Sequence, residues 1–377
     1  MAVINTILPF PYLLYEKSGW RGIPLDVLVV RGTFHLGSDG IPMHLAAIQT
    51  PLQLGDNFDG PIADDPMGAV LKDDGDIVVG KMRTDVILSG HVYSPDAKPL
   101  KDWIAAVRIG ALRKGLRVSG PRTFKRTLFG WKISRATPVT KVALDYRLAF
   151  GGRVQLPAPG RGNDLHFAAN PAGIGWLPTS ADMKDLSWSE KRKVRAWVKS
   201  QQTLPAPQFE DHAKPIRKPS DRPQPQGFGA IARWWQPRVK YQGTLDAKWE
   251  AERYPDPPDD YDVRYNQSAH PELISAKLLQ GDEEVILAQC LPEGKVVTAL
   301  PGIAVQAMTR FANGVRLIMP LALDTVRINL DERTCVVIWR TMFDRSNPPV
   351  EIDITAMPLE IWQAAASLKK GNDNGGK

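Results

Sequence analysis

Trp103-Ile104-Ala105-Ala106-Val107-Arg108-Ile109-Gly110 alternates without a break, with Trp103, Ala105, Val107 and Ile109 falling on one side of an extended chain. Successive side chains of a strand point to opposite faces, so a period of two marks a half-buried strand. Gly110 ends it, and Leu116 with Val118 begin a return strand. The same reading extends outward. Residues 33–36 and 41–45 flank Gly37-Ser38-Asp39-Gly40, whose residue types suit the positive-φ positions of a hairpin. Val86-Ile87-Leu88, running on to Val92-Tyr93, is too apolar for a half-exposed strand and fits one covered on both faces. Asn313-Gly314, between residues 308–311 and 315–318, predicts a hairpin closed by a type I′ turn. Val326, Ile328 and Leu330 alternate with Arg327 and Asn329, and Asp331-Glu332-Arg333 turns the chain into the strand 335–339.

Composition points the same way. The 377 residues include 32 prolines and 31 glycines, and proline interrupts both helices and central strands, so short elements joined by many ordered loops are expected. With 43% hydrophobic and 24% charged residues the chain is globular, and at this length it needs no staple to bury a core. Length suggests two units. We expect an N-terminal β-rich lobe over residues 1–153, an irregular Pro-rich connection over 154–230, a C-terminal β-rich lobe over 231–368 and a disordered tail over 369–377. The expected fold class is mainly β, a β-rich α+β arrangement. Antiparallel sheets in sandwich-like lobes would carry long irregular Pro/Trp-rich loops and one or two short helices. A helix near 187–202 is announced by the capping box Ser187-x-x-Glu190. Val194, Trp197 and Val198 share its apolar face, and Pro205 is expected to close it.

Cys290 and Cys335 lie in apolar runs and read as buried strand residues; no CxxC spacing suggests a zinc or redox site. Residues 7–15 are apolar but interrupted by Pro9 and Pro11, and no stretch approaches the roughly 20 apolar residues of a membrane span. A reduced, cytoplasmic chain with no membrane partner is the expectation. The six histidines form no HExxH or i, i+4 pair, and P-loop, GxGxxG and GxSxG motifs are missing. Asp259, Asp260 and Asp262 lack the glycine and glutamate of a calcium loop and read as turn caps. No catalytic residue, cofactor or metal is expected, and the chain reads as a non-enzyme. A hydrolase or transferase whose site is assembled from distant segments leaves no such trace and stands as the alternative.

The formal net charge is +7 and unevenly placed. From Lys101 to Arg153, 13 basic residues are opposed only by Asp102 and Asp145, whereas residues 252–293 are acid-rich. Arg113, Lys114, Arg117, Arg122, Lys125 and Arg126 form a candidate basic face. It reads as a solvated face paired with the acidic half, as a surface for an acidic protein partner or, with least support, as a nucleic-acid site. The last lacks an RNP motif or an aromatic-interleaved groove.

The most distinctive stretch is 227–266. It contains Gly227-Phe228-Gly229, Trp234-Trp235-Gln236-Pro237-Arg238, Gly243-Thr244-Leu245-Asp246, Trp249, Arg253-Tyr254-Pro255 and Pro257-Pro258-Asp259-Asp260-Tyr261-Asp262-Val263-Arg264. It has neither helical nor strand period, so it can be ordered only if its aromatics are packed and its backbone groups bonded. The order of these pieces resembles the family known as domain of unknown function 2169. Trp20-Arg21-Gly22, Lys81 with Thr84-Asp85-Val86, Gly120-Pro121-Arg122, Ala149-Phe150-Gly151-Gly152 and Asn170-Pro171-Ala172-Gly173 agree with it. So do Leu300-Pro301-Gly302, Asp324-Thr325-Val326 and Trp339-Arg340. The resemblance implies a cytosolic adaptor or chaperone that binds a secreted effector protein and joins it to the VgrG or PAAR spike of a type VI secretion machine. Trp234, Trp235, Arg238, Trp249 and Arg264 are the candidate partner-binding residues, with core packing as their other reading.

Overall fold

The alternation at 103–109 builds the expected hairpin. Strands Asp102–Ile109 and Leu112–Ser119 pair antiparallel across a two-residue turn, where Gly110 takes φ +54°, a conformation glycine adopts without a Cβ clash. Trp103, Ala105, Val107 and Ile109 are all buried. This is a computed structural model that describes residues 2–60, 62–154 and 165–365, so the tail 369–377 lies outside the described residues.

Three larger sheets surround one apolar core. The first orders Phe209–Glu210, Leu112–Ser119, Asp102–Ile109, Glu284–Leu291 and Gly294–Ala299. The second orders Tyr12–Ser18, Pro24–His35, Thr334–Asp344, Ala322–Asn329 and Asp85–Ser89, with the last pair parallel. The third orders Val3–Thr6, Pro349–Pro358, Ile303–Phe311 and Arg316–Pro320, its first pair again parallel. The fold is therefore mainly β, with mostly antiparallel sheets. Val30, Phe34, Val326, Val337 and Trp339 of the second sheet meet Val107, Leu116 and Leu287 of the first and Ala307 and Ile354 of the third in one core. Val86, Ile87 and Leu88 are all buried, as their unbroken apolar run requires, and Cys290 and Cys335 are buried and unbridged. Among the described residues no helix is long and apolar enough to cross a membrane.

Four local expectations need correction. The lobes expected at 1–153 and 231–368 do not separate into different sheets: Asp102–Ile109 pairs with Glu284–Leu291, and Pro24–His35 with Thr334–Asp344. The connection 154–230 is not wholly irregular. Its Thr203–Ala206 is an edge strand on Arg122–Thr127, where Pro205 is tolerated because an edge does not need its N–H. Pro205 accordingly does not close the helix. Helix α1, Trp188–Ser200, carries the expected capping box (Glu190 N–H to Ser187 Oγ at 3.3 Å, Ser187 N–H to Glu190 Oε2 at 2.8 Å) and ends at Gln201. Lastly, the hairpin at 313–314 is not type I′. Gly314 N–H bonds Phe311 O and only Gly314, at φ +83°, is left-handed, which is a three-residue loop with a glycine after the turn.

Candidate functional site

The second sheet has two unlike faces. Val326 and Ile328 point into the core, whereas Arg327, expected on an exposed face, is buried against the segment 74–81. Arg327 donates to Asp74 Oδ1 at 2.8 Å, to the Asp74 carbonyl at 2.7 Å and to Asp76 Oδ1 at 2.9 Å. The other Asp76 oxygen accepts from Arg31 at 2.8 Å. Lys81 bridges Asp74 at 3.2 Å and Asp85 at 2.7 Å. Arg340 reaches Asp324 at 2.6 Å and the Tyr15 hydroxyl at 2.6 Å. Four carboxylates thus meet four cations in a layer almost closed to water. Burial alone would raise the Asp74 carboxyl, but Arg327 and Lys81 hold it well below the usual range. Burial pushes Tyr15 up to about 12.

The ladder-free stretch 227–268 stands on this layer. Ser268 donates to Asp74 at 2.7 Å through its hydroxyl and to Asp85 at 2.8 Å through its backbone; Gln267 reaches Asp85 at 2.6 Å. Asn266 Nδ2 donates to the Gly80 carbonyl at 2.9 Å. Arg238 is buried and donates to the carbonyls of Ile231 at 2.5 Å and Tyr265 at 3.0 Å, tying the two ends of the stretch together. Trp235 is fully buried, edge-on to Tyr146 with centroids 5.8 Å apart. Trp234 stacks on Phe58 at 5.1 Å. Asp260 and Asp262 cap local turns, accepting from Thr244 and Arg264 backbone N–H groups at 2.8 Å each.

What reaches the surface is a smaller set. Helix α2, Ala247–Glu252, is capped by Asp246 and presents Trp249, whose indole N–H donates to the Asp256 carbonyl at 2.9 Å. A cavity of about 400 Å³ opens there, lined by Lys17, Val78, Arg233, Leu245, Trp249 and Tyr261 among others. On the other flank a second cavity of about 510 Å³ includes Tyr241 and Arg264. The Arg264 guanidinium lies 4.4 Å from the Tyr241 ring centre and bonds Asp262 at 2.9 Å. Of the five candidate partner-binding residues, Trp235 and Arg238 are thus internal braces, Trp234 is half-buried, and Trp249 and Arg264 line accessible hollows. Among the described residues no group of three or more His, Cys, Asp or Glu could hold a metal ion.

The candidate basic face is not one face. Lys114 points inward, bonding Gln226 Oε1 at 2.6 Å and Glu272 at 2.7 Å, while its neighbour Arg113 is exposed. Arg122 pairs with buried Glu210 at 2.7 Å, Arg117 with Asp102 at 2.6 Å, and Arg126 donates to the Lys199 carbonyl at 2.8 Å. Only Arg113 and Lys125 of the six have no partner of this kind. Strand alternation explains why Lys114 turns inward beside exposed Arg113, because adjacent residues face opposite ways.

Near Lys114 lies His270. Burial, with Lys114 beside it, pushes its pKa down to about 3, and its Nδ1 accepts from the Glu272 N–H at 3.2 Å. The unfolded imidazole binds a proton below about 6.5, whereas the folded one stays neutral, so stability is lost as pH falls from about 6.5 toward 3. A single such group contributes at most about 1.4 kcal/mol per pH unit. Urea unfolding between those limits should show a shallower pH slope for His270→Asn than for the parent; equal slopes would remove His270 from the account.

Fold and site together define a class: a strand-rich scaffold with a long ladder-free segment fastened over a buried layer of ion pairs. The family described as an uncharacterized protein conserved in bacteria, domain of unknown function 2169, matches residues 22–340, and the chain belongs to it. No curated protein and no solved structure matches the chain.

Proposed function

We propose that this chain is a cytosolic, non-catalytic adaptor that binds a type VI secretion effector and helps load it onto the VgrG or PAAR spike. Membership in the family supports the adaptor role through the resemblance stated above, and the observation that carries it is the fastened platform. Its braces fix the backbone, while Leu245 and Trp249 line a hollow large enough for a partner side chain and Tyr254 stands exposed beside Trp249. Tyr254 is 68% exposed and lies edge-on to Trp249 at 5.7 Å. Preorganised aromatic anchors of this kind contribute most of the energy of protein interfaces. Binding, with no chemistry, is the role this geometry fits.

The test is co-purification of the full chain with an effector and spike protein encoded beside its gene. At moderate salt the three should elute together. Tyr254→Ala should weaken effector capture by about tenfold or more, the loss typical of a truncated anchor. Separate elution of all three components would refute the adaptor reading.

A further inference from the structure

Leu128 and Phe129 are 99% and 100% exposed. They are the two turn residues between paired Thr127 and Gly130, at the end of the hairpin formed by Arg122–Thr127 and Gly130–Ile133. A Cβ built on Gly130 would meet nothing within 4 Å, so the tip stands clear of the described chain. It is nevertheless ordered. The Thr127 hydroxyl donates to the Gly130 carbonyl at 2.9 Å and accepts from the Phe129 N–H at 3.3 Å. Just behind the tip, Arg126 lies over Trp131 at 5.5 Å and donates to the Lys199 carbonyl at 2.8 Å, bracing the hairpin on α1.

The shaft carries a second anomaly. Lys125 and Lys132 sit directly opposite one another across the strand pair, both exposed. Like charges so placed destabilise a sheet, and no Asp or Glu occurs between Asp102 and Asp145 to offset them. Two lysines held together behind two bare apolar side chains call for an anionic partner with an apolar interior. Leu128 lies three positions beyond Lys125, about 10 Å of extended chain. That distance matches the depth of about 5–10 Å at which apolar groups enter the boundary of a bilayer below its headgroups. A specific protein interface instead buries roughly 1,200–2,000 Å², far more than two turn side chains projecting past the neighbouring strand Thr203–Ala206 present.

We infer that the 122–133 hairpin is a lipid-contacting finger: Leu128 and Phe129 enter an anionic bilayer surface while Lys125 and Lys132 meet its headgroups. The contact is peripheral and reversible, and it does not depend on the adaptor reading. Two apolar side chains and two cations give only modest affinity, so the finger orients the protein on a surface and does not anchor it permanently.

Flotation of the full chain with vesicles of phosphatidylglycerol in phosphatidylcholine tests this, with vesicles of phosphatidylcholine alone beside them. The parent should float with the anionic vesicles at low salt and little with the neutral ones. Leu128→Ser/Phe129→Ser should reduce the partition coefficient by on the order of a hundredfold or more. Lys125→Gln/Lys132→Gln should reduce it about 25-fold, at about fivefold for each lysine. The thermal midpoint of the tip variant should equal the parent's, because its altered side chains are exposed, and that of the lysine variant should equal or slightly exceed it, because a like-charge pair is removed. The inference is overturned if the parent ignores anionic vesicles at low salt, or if the tip variant floats as well as the parent. Loss of effector capture by a tip variant that still floats would also overturn it, assigning the finger to a protein pocket.

Discussion

Replacing Arg327 with Met should cost about 3–5 kcal/mol of folding stability, the loss typical when one partner of a buried ion pair is removed. The expectation follows from charge balance. Asp74, Asp76, Asp85 and Asp324 face Arg31, Lys81, Arg327 and Arg340 in a layer nearly without water. Without Arg327, Asp76 keeps only Arg31 as a cationic partner and Asp74 only Lys81. The shape of the side chain is largely retained in methionine, so the loss reports charge and hydrogen bonds more than volume. Urea unfolding at neutral pH measures it, and a loss below about 1 kcal/mol would contradict the layer as described. Arg327→Met/Asp76→Asn restores equal numbers of opposite charges and should recover part of the loss, since an unpaired buried charge costs more than an absent pair.

The second large effect separates brace from contact. Trp235→Ala should destabilise by about 3–5 kcal/mol, the range for deleting a large buried aromatic. Its ring has no exposed edge and closes the core against Tyr146. Trp249→Ala removes a half-buried ring on a short exposed helix and should cost markedly less. For effector capture the order should invert once each variant is assayed below its unfolding temperature: Trp249→Ala loses affinity by about tenfold or more, while folded Trp235→Ala retains most of it. If both variants lose stability and capture in proportion, the platform has no division between support and contact surface.

Strand identity was largely legible because alternation is a local property. Trp103 to Ile109 needed no knowledge of the rest of the chain, and the cap at Ser187 needed only its neighbour Glu190. The ion layer was not legible in the same way. Lys81, Asp85, Asp324 and Arg340 were all in view as pieces of the family pattern, yet their spacing gave no hint that they meet. Their partners Asp74 and Asp76 lie in the stretch Asp73-Asp74-Gly75-Asp76, which has no apolar period to mark burial, and Arg327 alternates with the apolar Val326 and Ile328. Only the tertiary cover of residues 74–81 turns the Arg327 face into an interior. The candidate partner-binding residues divided into braces and accessible groups for a related reason. Sequence marks tryptophan and arginine as potent anchors, but their burial is decided elsewhere, by Tyr146 for Trp235 and by the carbonyls of Ile231 and Tyr265 for Arg238.

Strand order has a kinetic side. Val3–Thr6 lies in parallel register on Pro349–Pro358, Val3 opposite Glu351, and Pro24–His35 forms its long ladder with Thr334–Asp344. Early strands therefore wait for partners that leave the ribosome about 300 or more residues later. Pairings this remote place the chain among slow folders, and until they form, Pro24–His35 exposes an apolar edge open to the wrong neighbour. Synthesis in the cell must carry that strand safely through most of the chain's elongation before its sheet can close.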